Sequence, residues 1–576
     1  MTRQKTEAPA GGTPVGAPPR SGDPSADRGQ RAEVLSRLCR VLDIERSEAA
    51  LNILSSVICH QSSVVTDSRA IKRGDTFVAY PGEKQDGRQF IAHAIAQGAN
   101  AVIYEKLLSG HPWEAQHFVW NDAWQIPNLA VSDLRHKAGW LADAVYAAPS
   151  EKLWVVGITG TNGKTSTSHW IAHALNDAGR KCALIGTLGN GFAGALQSSA
   201  NTTPDAIRVH GLLAEYLKEG ASAVAMEVSS HALSQGRVNG VRFDVAMLTN
   251  LSRDHLDYHG DMQSYAAAKR KLFDWQQLKY VVLNLDDEFG VELAGQLQDA
   301  EVEVIGYGLR RPLSNFPPQA GERANEKSVE PAPDDALQLA ERLGLRMVYG
   351  NLLEMTGQGL RIAVHSSWGA AQLDSALVGR FNAANLLGAL AVLLVSDIGL
   401  GDAVQSLSKV QPVAGRMQRL GNEQQPTVIV DYAHTPDALE KVLLALREVS
   451  AETGGKLLCV FGCGGDRDRG KRAMMGKVAE RFSDWCIVTS DNPRSEDPQE
   501  IIAEIVGGMS GENHEIMVER AAAIHRAISH ARQSDTVLIA GKGHEDYQEI
   551  NGVKHPFSDV LIAQQALKTG YAGVRA

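Results

Sequence analysis

Residues 153–179 read LWVVGITGTNGKTSTSHWIAHALNDAG, and this stretch decides the fold class of the chain. LWVVGI predicts a buried β-strand, GTNGKTS (160–166) predicts a glycine-rich loop, and SHWIAHALNDAG predicts a helix. Such a turn directs backbone N–H groups and a helix N-terminus at one point, which suits a phosphate group. Lys164 would reach the terminal phosphates of a nucleotide, and the Thr165 hydroxyl would hold Mg²⁺.

The loop matches the general pattern G-x-x-x-x-G-K-[ST] imperfectly. The position five before Gly163 is Ile158, and the upstream glycine, Gly157, lies one place too early. Two interpretations are open at this point: a glycine-rich turn with an unrelated lysine, or a phosphate loop that binds ATP or GTP. The strand–loop–helix context favours the phosphate loop.

Alternating strands and helices extend along most of the chain. AVAMEVS, DVAMLTN and YVVLNLD each follow a helix-length segment, which predicts a parallel sheet covered on both faces. TVIVDYA, KLLCVFGC, WCIVTSD and DTVLIAGKG repeat the pattern after Pro412. We therefore predict an α/β protein of three domains: a small N-terminal α/β unit, a central P-loop ATPase-like parallel sheet and a C-terminal Rossmann-like doubly wound sheet.

Composition shifts give the predicted domain boundaries. Residues 1–30 hold five prolines and no apolar core, so a disordered tail is expected before order begins near Arg31. The predicted domains are 31–149, 150–412 and 413–576. Within the central one, the proline-rich, charged stretch 310–335 predicts an exposed insertion.

Composition also limits the classes of function. A net charge of -10 argues against a general nucleic-acid binder. The six cysteines form no C-x-x-C pair, which fits a reducing compartment better than a disulfide framework. No apolar run approaches the ~18 residues of a membrane span, and no signal peptide is recognisable. We expect a cytoplasmic monomer.

Polar residues cluster where predicted strands end, which is where ligands bind in doubly wound sheets. Glu227 ends one strand, and the next leads into TNLSRDHLDYHG (249–260), rich in oxygen and nitrogen donors. Mg²⁺ needs only one or two protein carboxylates. His255 and His259 have H-x-x-x-H spacing, so a zinc site and a purely structural capping role both remain open.

Arg494 lies in SDNPRSEDP (490–498), after another predicted strand. A guanidinium binds a ligand carboxylate with two parallel hydrogen bonds. The alternative is an ion pair with Glu496 or Asp497 that braces the loop.

GTNGKTS, NTTP, MEVSSHAL, TNLSRDHLDYHG, YAAAK, GRFNAAN, DYAHTPDAL and DNPR occur in this order. With them the chain resembles the Mur ligase family, ATP-dependent amide-forming enzymes of bacterial cell-wall synthesis. The resemblance covers about residues 60 to 560, and GTNGKT is the family form of the phosphate loop.

The resemblance implies ATP and Mg²⁺ as cofactors and four catalytic residues, Lys164, Glu227, His255 and Lys269. The implied metal ligands are Thr165, Glu227, His255 and Lys269, the last as a carbamate formed with CO₂. An ammonium has no lone pair for a metal, whereas a carbamate supplies anionic oxygens. Composition alone would make Lys269 a solvated helix lysine.

The resemblance also implies three groups of binding residues. For ATP these are Gly160, Thr161, Asn162, Gly163, Lys164, Thr165, Ser166, Asn382, Asn385, Arg416, Asp431 and His434. For UDP-N-acetylmuramoyl-L-Ala-D-Glu they are Ser68, Glu83, Lys84, Gln85, Asn201, Thr202, Thr203, Ser229, Gln235 and Arg237. For meso-diaminopimelate they are Arg467, Asp491, Asn492, Pro493, Arg494, Gly541 and Glu545.

In the implied reaction, the D-glutamyl carboxylate attacks the ATP γ-phosphate and the amine of diaminopimelate attacks the acyl phosphate. Members that add diaminopimelate carry DNPR, and members that add lysine lack this arginine. Alternatives are a lysine-adding ligase, a folylpolyglutamate synthetase, a P-loop switch or kinase, and a degenerate binding protein. Substrates rather than nucleic acid or membrane are the expected partners.

Overall fold

The computed structural model describes residues 24–59, 63–83, 85–106, 118–298, 300–310, 340–422 and 424–570. The chain divides into two compact units, Met1–Ala144 and Val145–Ala576. The predicted tail up to residue 23, the predicted insertion beyond Arg310, and Lys84 lie outside the described residues.

The first unit contains a four-stranded parallel sheet in the order β1-β2-β3-β4. Phe77, Ile91 and Val102 are buried in its core. The predicted small α/β unit is therefore confirmed. Its strands are β1 (Val64–Val65), β2 (Thr76–Ala79), β3 (Ala101–Glu105) and β4 (Asn128–Val131), and its helices are Pro24–Leu42, Glu48–Cys59, Gly87–Phe90 (3₁₀), Ile91–Ala96 and Leu134–Val145.

The first helix begins at Pro24, earlier than the predicted start of order near Arg31. Proline is favoured in the first turn of a helix, since its missing N–H would be unpaired there anyway. Residues 24–30 of the predicted tail are therefore helical.

The central domain is built on a ten-stranded sheet, β14-β13-β12-β11-β10-β9-β5-β8-β6-β7. Its strands are β5 (Trp154–Thr159), β6 (Cys182–Gly186), β7 (Gly189–Gly191), β8 (Ala223–Glu227), β9 (Val245–Leu248), β10 (Tyr280–Asn284), β11 (Glu303–Arg310), β12 (Arg346–Thr356), β13 (Gly359–Ser366) and β14 (Gly369–Ser375). Its helices are Pro149–Lys152 (3₁₀), Lys164–Asp177, Ala206–Lys218, Ser230–Ser234, Leu256–His259, Met262–Arg270, Glu288–Gln296, Arg380–Val395 and Leu400–Ser408.

This sheet has the predicted parallel core, and antiparallel strands extend it at both ends. The strands from β12 to β6 pair in parallel, whereas β7 at one end and β13 and β14 at the other pair antiparallel to their neighbours. Two-residue turns join β6 to β7, β12 to β13 and β13 to β14, and connections this short join only antiparallel strands.

Successive residues of β5 face opposite sides of the sheet, as the period of a strand requires. Val156 packs in the core that includes the helices Lys164–Asp177 and Arg380–Val395. Val155 packs in the opposite core with Leu212 of the helix Ala206–Lys218. Both faces of the sheet are therefore covered. The loop after β5 lies at the edge of the sheet where the carboxyl ends of the parallel strands meet.

The C-terminal domain has a six-stranded sheet, β15-β16-β20-β17-β18-β19, parallel apart from the β15–β16 pair. The predicted doubly wound pattern is confirmed, again with an antiparallel edge. Its strands are β15 (Gln418–Leu420), β16 (Thr427–Asp431), β17 (Leu457–Phe461), β18 (Trp485–Val488), β19 (His514–Ile516), β20 (Thr536–Ala540) and the hairpin β21 (Tyr547–Ile550) and β22 (Val553–Pro556), and its helices are Pro436–Thr453, Gly470–Phe482, Pro498–Val506, Arg520–His530 and Asp559–Gly570.

Among the described helices, none combines the length and the apolar composition that a membrane span would need.

Candidate active site

The predicted phosphate loop follows β5 and leads into the helix Lys164–Asp177. Gly160 has φ +148°, and a Cβ there would lie 1.9 Å from Thr249 Oγ1. Gly163 has φ +86°, and a Cβ there would lie 2.8 Å from Asn385 Oδ1. Both positions thus require glycine. Thr161 N donates to Asn250 O at 2.8 Å, which ties the loop to the end of β9.

Two lysine amines converge on one carbonyl oxygen of this loop. Lys164 Nζ donates to Gly160 O at 2.7 Å and to Thr161 O at 2.9 Å, and Lys269 Nζ donates to the same Gly160 O at 2.8 Å. Lys269 is 1% exposed. Burial and the charge of Lys164 lower the pKa of Lys269 well below its usual value, and burial also lowers the pKa of Lys164. Lys269 is therefore not the solvated lysine that composition alone suggests.

Glu227, at the end of β8, is buried and fully engaged by hydroxyl and amide donors. Its carboxylate accepts from Thr165 Oγ1 at 2.9 Å, Thr187 N at 2.8 Å and Thr187 Oγ1 at 3.0 Å. Arg416 Nη2 lies 3.4 Å from Thr165 Oγ1. The structure thus brings the P-loop threonine, the strand-end carboxylate and an arginine of the C-terminal domain together.

This donor set fits Mg²⁺. Thr165 and Glu227 offer oxygen atoms, which Mg²⁺ prefers, and a Cβ at Gly186 would lie only 2.2 Å from Glu227 Oε1. The buried, deprotonation-prone amine of Lys269 is the form that can react with CO₂. The described residues contain no group of three or more His, Cys, Asp or Glu arranged to hold a metal, which leaves the zinc alternative without a third ligand.

His255 lies beside the acidic residue that precedes it. Its φ is +55°, and its Nε2 lies 3.3 Å from Asp254 Oδ2. Burial lowers the pKa of His255 to about 3, so the ring is neutral and can offer a lone pair. His259 Nε2 instead pairs with Ser230 Oγ at 3.0 Å.

His434 contacts Asp254, where Nε2 lies 3.6 Å from Oδ2, and it is not among the residues that line the cavity beside the phosphate loop. Burial alone would raise the pKa of Asp254, but His434, His255 and Lys471 hold it well below the usual value. His434 therefore connects the C-terminal domain to the loop that carries His255.

A cavity of about 350 Å³ opens beside the phosphate loop, with walls from the central and C-terminal domains. Its walls include eight predicted ATP-site residues: Asn162, Gly163, Thr165, Ser166, Asn382, Asn385, Arg416 and Asp431. Asn382 Nδ2 donates to Val378 O at 2.8 Å. Asp431 accepts from the amides of Met417 and Ala433, and burial raises its pKa.

Sequence reasoning missed several residues of this cavity, among them Trp170, Asp287, Arg380, Lys441 and Glu448. They come from separate helices and loops, and only the fold brings them together. The order of strands and helices could have indicated Asp287, which follows the end of β10. Its carboxylate accepts from Leu251 N at 2.9 Å and thereby supports the loop after β9.

Most of the predicted muramoyl-dipeptide residues of the central domain are linked by hydrogen bonds next to Glu227, whereas Asn201 pairs only locally. Thr203 Oγ1 donates to Glu227 O at 2.7 Å, and Arg237 Nη1 donates to Thr203 O at 3.0 Å. Arg237 Nε also donates to Gln235 Oε1 at 2.8 Å. The remaining members pair as follows: Thr202 Oγ1 with Thr187 Oγ1 at 3.1 Å, Ser229 N with Thr203 Oγ1 at 3.1 Å, and Asn201 O with Ser199 Oγ at 2.9 Å.

In the first unit, the predicted uridine-diphosphate residues lie in loops around β2. Ser68 Oγ is 3.0 Å from His93 Nδ1, Glu83 Oε1 is 3.5 Å from Arg135 Nη2, and Gln85 O accepts from Gly82 N at 2.8 Å. Lys84 lies outside the described residues.

Arg494 lies after β18 with φ +52° and is half-buried. Nη1 donates to Gly465 O at 2.6 Å, and Nε lies 3.4 Å from Glu549 Oε2. Glu496 instead binds Arg472, at 2.8 Å between Oε1 and Nη2, and this pair lowers the pKa of Glu496 to about 2. Asp497 Oδ1 accepts from Gln499 N at 2.8 Å at the start of the next helix, so the predicted ion pair of Arg494 with Glu496 or Asp497 is wrong, and Glu549 is the acidic partner.

A buried lysine that sequence reasoning missed contacts three of the predicted diaminopimelate-binding residues. Lys542 Nζ is fully buried and donates to Asn492 Oδ1 at 2.8 Å and Glu545 Oε2 at 3.1 Å. Its Nζ lies 3.7 Å from Asp491 Oδ1. The sequence GKGHED held the signal, because Lys542 lies two residues after the end of β20.

The other predicted pocket residues lie close by. Gly541 has φ +118°, and a Cβ there would lie 2.5 Å from Asp491 Oδ2. Pro493 O accepts from Glu496 N at 3.0 Å. Arg467 is exposed, and its Nη1 lies 3.4 Å from Asp466 O.

Three sequence families match the chain in order: "Mur ligase family, catalytic domain" at residues 60–146, "Mur ligase middle domain" at 158–393 and "Mur ligase, glutamate ligase domain" at 415–543. Relatives named UDP-N-acetylmuramoyl-L-alanyl-D-glutamate--2,6-diaminopimelate ligase occur in Nitrosomonas europaea, at 49% identity over 90% of this chain and 94% of the relative, and in Pseudomonas aeruginosa, at 47% over 87% and 94%.

Solved structures agree in fold. A structure carrying the same ligase name is 35% identical with a TM-score of 0.57, over 88% of this chain and 94% of that one. MurF from Acinetobacter baumannii, at 16% identity, has a TM-score of 0.59 over 93% and 98%, which shows shared fold alone. From its motifs, its three domains and these relatives, the chain belongs to the Mur ligase family.

Proposed function

We propose that this chain is a MurE-type ligase, which joins meso-2,6-diaminopimelate to the D-glutamyl carboxylate of UDP-N-acetylmuramoyl-L-Ala-D-Glu at the expense of ATP. The observation that carries the proposal is the 49% identity to a relative that bears this name, over 94% of the length of that relative. The half-buried Arg494 beside Glu549 supports it, since this pair offers both charges that a zwitterionic amino acid requires.

ATP is proposed to occupy the 350 Å³ cavity with its phosphates on residues 160–166. The amides of the loop and the helix N-terminus after Gly163 would bind the phosphate oxygens. Lys164 would leave its carbonyl partners for the terminal phosphates, and Arg416 lies close enough to Thr165 to reach the same charge.

The D-glutamyl carboxylate attacks the γ-phosphorus, so a new O–P bond forms and ADP leaves. An amine of diaminopimelate then attacks the acyl carbon and loses a proton, and phosphate leaves as the tetrahedral intermediate collapses. In this reaction the protein acts by positioning reactants and stabilising charge. Thr203, Gln235 and Arg237 would orient UDP-N-acetylmuramoyl-L-Ala-D-Glu. Arg494 would bind the distal carboxylate of diaminopimelate.

Thr165, Glu227 and His255, together with a carbamate on Lys269, are proposed to hold Mg²⁺, which would offset phosphate charge when bound. Carbamate formation needs a neutral amine. Burial and the charge of Lys164, which lower the pKa of Lys269, favour that form. A cytoplasmic location and a monomeric state remain part of the proposal.

The test is phosphate release with UDP-N-acetylmuramoyl-L-Ala-D-Glu and ATP, comparing meso-diaminopimelate with L-lysine. We expect release with diaminopimelate and little without an amino acid. Equal rates with lysine would contradict the substrate assignment and leave ligase chemistry intact. Equally fast release of phosphate without any amino acid would contradict ligation itself.

A further inference from the structure

The loop after β9 carries Arg253, Asp254 and His255 in succession, and two of the three contact the C-terminal domain. Arg253 pairs with Asp468, and Asp254 lies next to His434. His255 is the proposed metal ligand. Because the three residues are adjacent in sequence, a contact that fixes Arg253 also restricts where His255 can lie.

The Arg253–Asp468 pair is two-pronged. Nε donates to Oδ2 at 3.2 Å, and Nη2 donates to Oδ1 at 3.3 Å. The side chains are 41% and 11% exposed, so the pair adds little to stability. Its fork geometry nevertheless fixes the orientation of the guanidinium.

In the C-terminal domain, the residues around Asp468 leave room for the guanidinium of Arg253 to approach closely. Asp468 Oδ1 also accepts from Gly470 N at 2.9 Å. A Cβ on Gly470 would lie only 2.7 Å from Arg253 Nη2. Any residue larger than glycine there would push the guanidinium away.

The loop that carries Asp468 is also bound to the proposed amino-acid site. Gly465 O accepts from Arg494 Nη1 at 2.6 Å, and Asp466 Oδ1 accepts from Ser495 Oγ at 2.7 Å. A ligand carboxylate on Arg494 would compete with Gly465 O for the guanidinium. Occupancy of the site would therefore change the hydrogen bonding of the loop 464–470.

We propose that Arg253 and Asp468 are positioning residues that couple amino-acid binding in the C-terminal domain to the placement of the loop that carries His255. Arg494 is hydrogen-bonded to Gly465, the backbone of the loop leads from Gly465 to Asp468, and Asp468 is paired with Arg253. This inference rests on the proposed function, since it takes Arg494 as the reader of the amino acid.

The experiment measures the affinity for meso-diaminopimelate by calorimetry, with and without a non-hydrolysable ATP analogue plus UDP-N-acetylmuramoyl-L-Ala-D-Glu. Coupling between two sites is reciprocal and amounts to about 5–150-fold in affinity. We expect the other two ligands to tighten diaminopimelate binding by at least about fivefold in the wild type, and by less than about twofold in Arg253→Met and Asp468→Asn.

Gly470→Ala should reduce the coupling in the same direction without removing a charge. Arg526→Met is the matched control, because Arg526 pairs with Glu515 at 3.1 Å inside the C-terminal domain and is 42% exposed. It should keep the coupling of the wild type. Melting temperatures of all variants, and diaminopimelate affinity without the other ligands, separate lost coupling from lost folding.

Wild-type coupling in both Arg253→Met and Asp468→Asn would overturn the inference. So would the absence of any coupling in the wild type. If the wild type still released phosphate with diaminopimelate, the proposed function would stand while this inference failed.

Discussion

At the scale of single residues, Lys269 shows how neighbours determine the chemistry of a side chain. Its amine is buried and shares Gly160 O with Lys164, so two like charges would meet at one oxygen. The charged form is therefore disfavoured on two grounds, lost hydration and repulsion. The neutral amine is both tolerated by its surroundings and reactive toward CO₂.

This environment predicts a pH-dependent stability. The pKa of Lys269 is lowered in the folded state, so the unfolded chain binds more protons between the two pKa values, and stability rises with pH through that window. In CO₂-free buffer, Lys269→Met should be more stable than the wild type at pH 6, and the difference should shrink toward the pKa of an unfolded lysine, ~10.4. Urea unfolding at several pH values measures it.

The exposed neighbour Lys271 supplies the control, because Lys271→Met removes a lysine from the surface and leaves the buried amine of Lys269 in place. A constant difference for Lys269→Met would contradict the buried-charge explanation. With ¹³C-bicarbonate, a carbamate signal should appear in the wild type and be absent from Lys269→Met.

Arg494 carries the second residue-scale prediction. Arg494→Ala should lower kcat/KM for diaminopimelate. The expected loss of transition-state binding free energy is ~2–5 kcal/mol, the cost of truncating one partner of a buried charge pair. Arg447→Ala is the control, because Arg447 pairs with Asp484 at 2.6 Å in the same domain. An Arg494→Ala enzyme with unchanged kinetics would identify the arginine as a brace for Gly465 and Glu549 only.

At the scale of elements, the space around each glycine shows where a helix packs closely against its neighbours. In the helix Glu288–Gln296, a Cβ on Gly290 would lie 1.9 Å from Asn284 O, whereas Gly295 has no atom within 4 Å. Because Asn284 O is backbone at the end of β10, it cannot move without disturbing the strand. The helix therefore packs closely against β10 at Gly290, whereas the space around Gly295 is open.

This contrast gives a paired prediction. Gly290→Ala should destabilise the protein by about 1–3 kcal/mol through overpacking. Gly295→Ala should stabilise it by up to about 1 kcal/mol, since alanine is the better helix former. Thermal and urea unfolding of the two variants compare them directly. Equal effects of the same sign would show that packing against Asn284 does not control this helix.

At the scale of the whole molecule, the proposed ATP cavity draws its walls from two of the three domains and none from the first unit. Its lining residues run from Asn162 to Glu448, all within Val145–Ala576. Asn162 Nδ2 also donates to Asp437 Oδ2 at 3.1 Å, so the phosphate loop itself contacts the C-terminal domain. A nucleotide in the proposed position would contact both domains at once.

Hydrogen exchange on the full chain tests this. A non-hydrolysable ATP analogue at 100 times its Kd should stabilise the binding-competent state by ~2.7 kcal/mol. Slower exchange is expected in residues 160–166, 380–385 and 431–448, and no change in the β2 and β3 strands of the first unit. Protection confined to the central domain would contradict a cavity that both domains complete.

The sequence by itself predicted the features that depend on local order. These are the strand–loop–helix around Lys164, the polar strand ends at Glu227 and Arg494, and the three α/β domains. Local order suffices because a parallel strand places whatever follows it at one edge of the sheet. Family motifs added roles that composition could not give, above all for Lys269.

The tertiary structure alone decided the contacts between residues distant in sequence. It replaced Glu496 by Glu549 and Gly465 as partners of Arg494, buried Lys542 among Asn492, Glu545 and Asp491, and turned His434 toward Asp254. It also added antiparallel strands at the edges of two sheets. Hydrogen bonds and charges act over a few ångströms in space, so partners far apart along the chain are set by the fold.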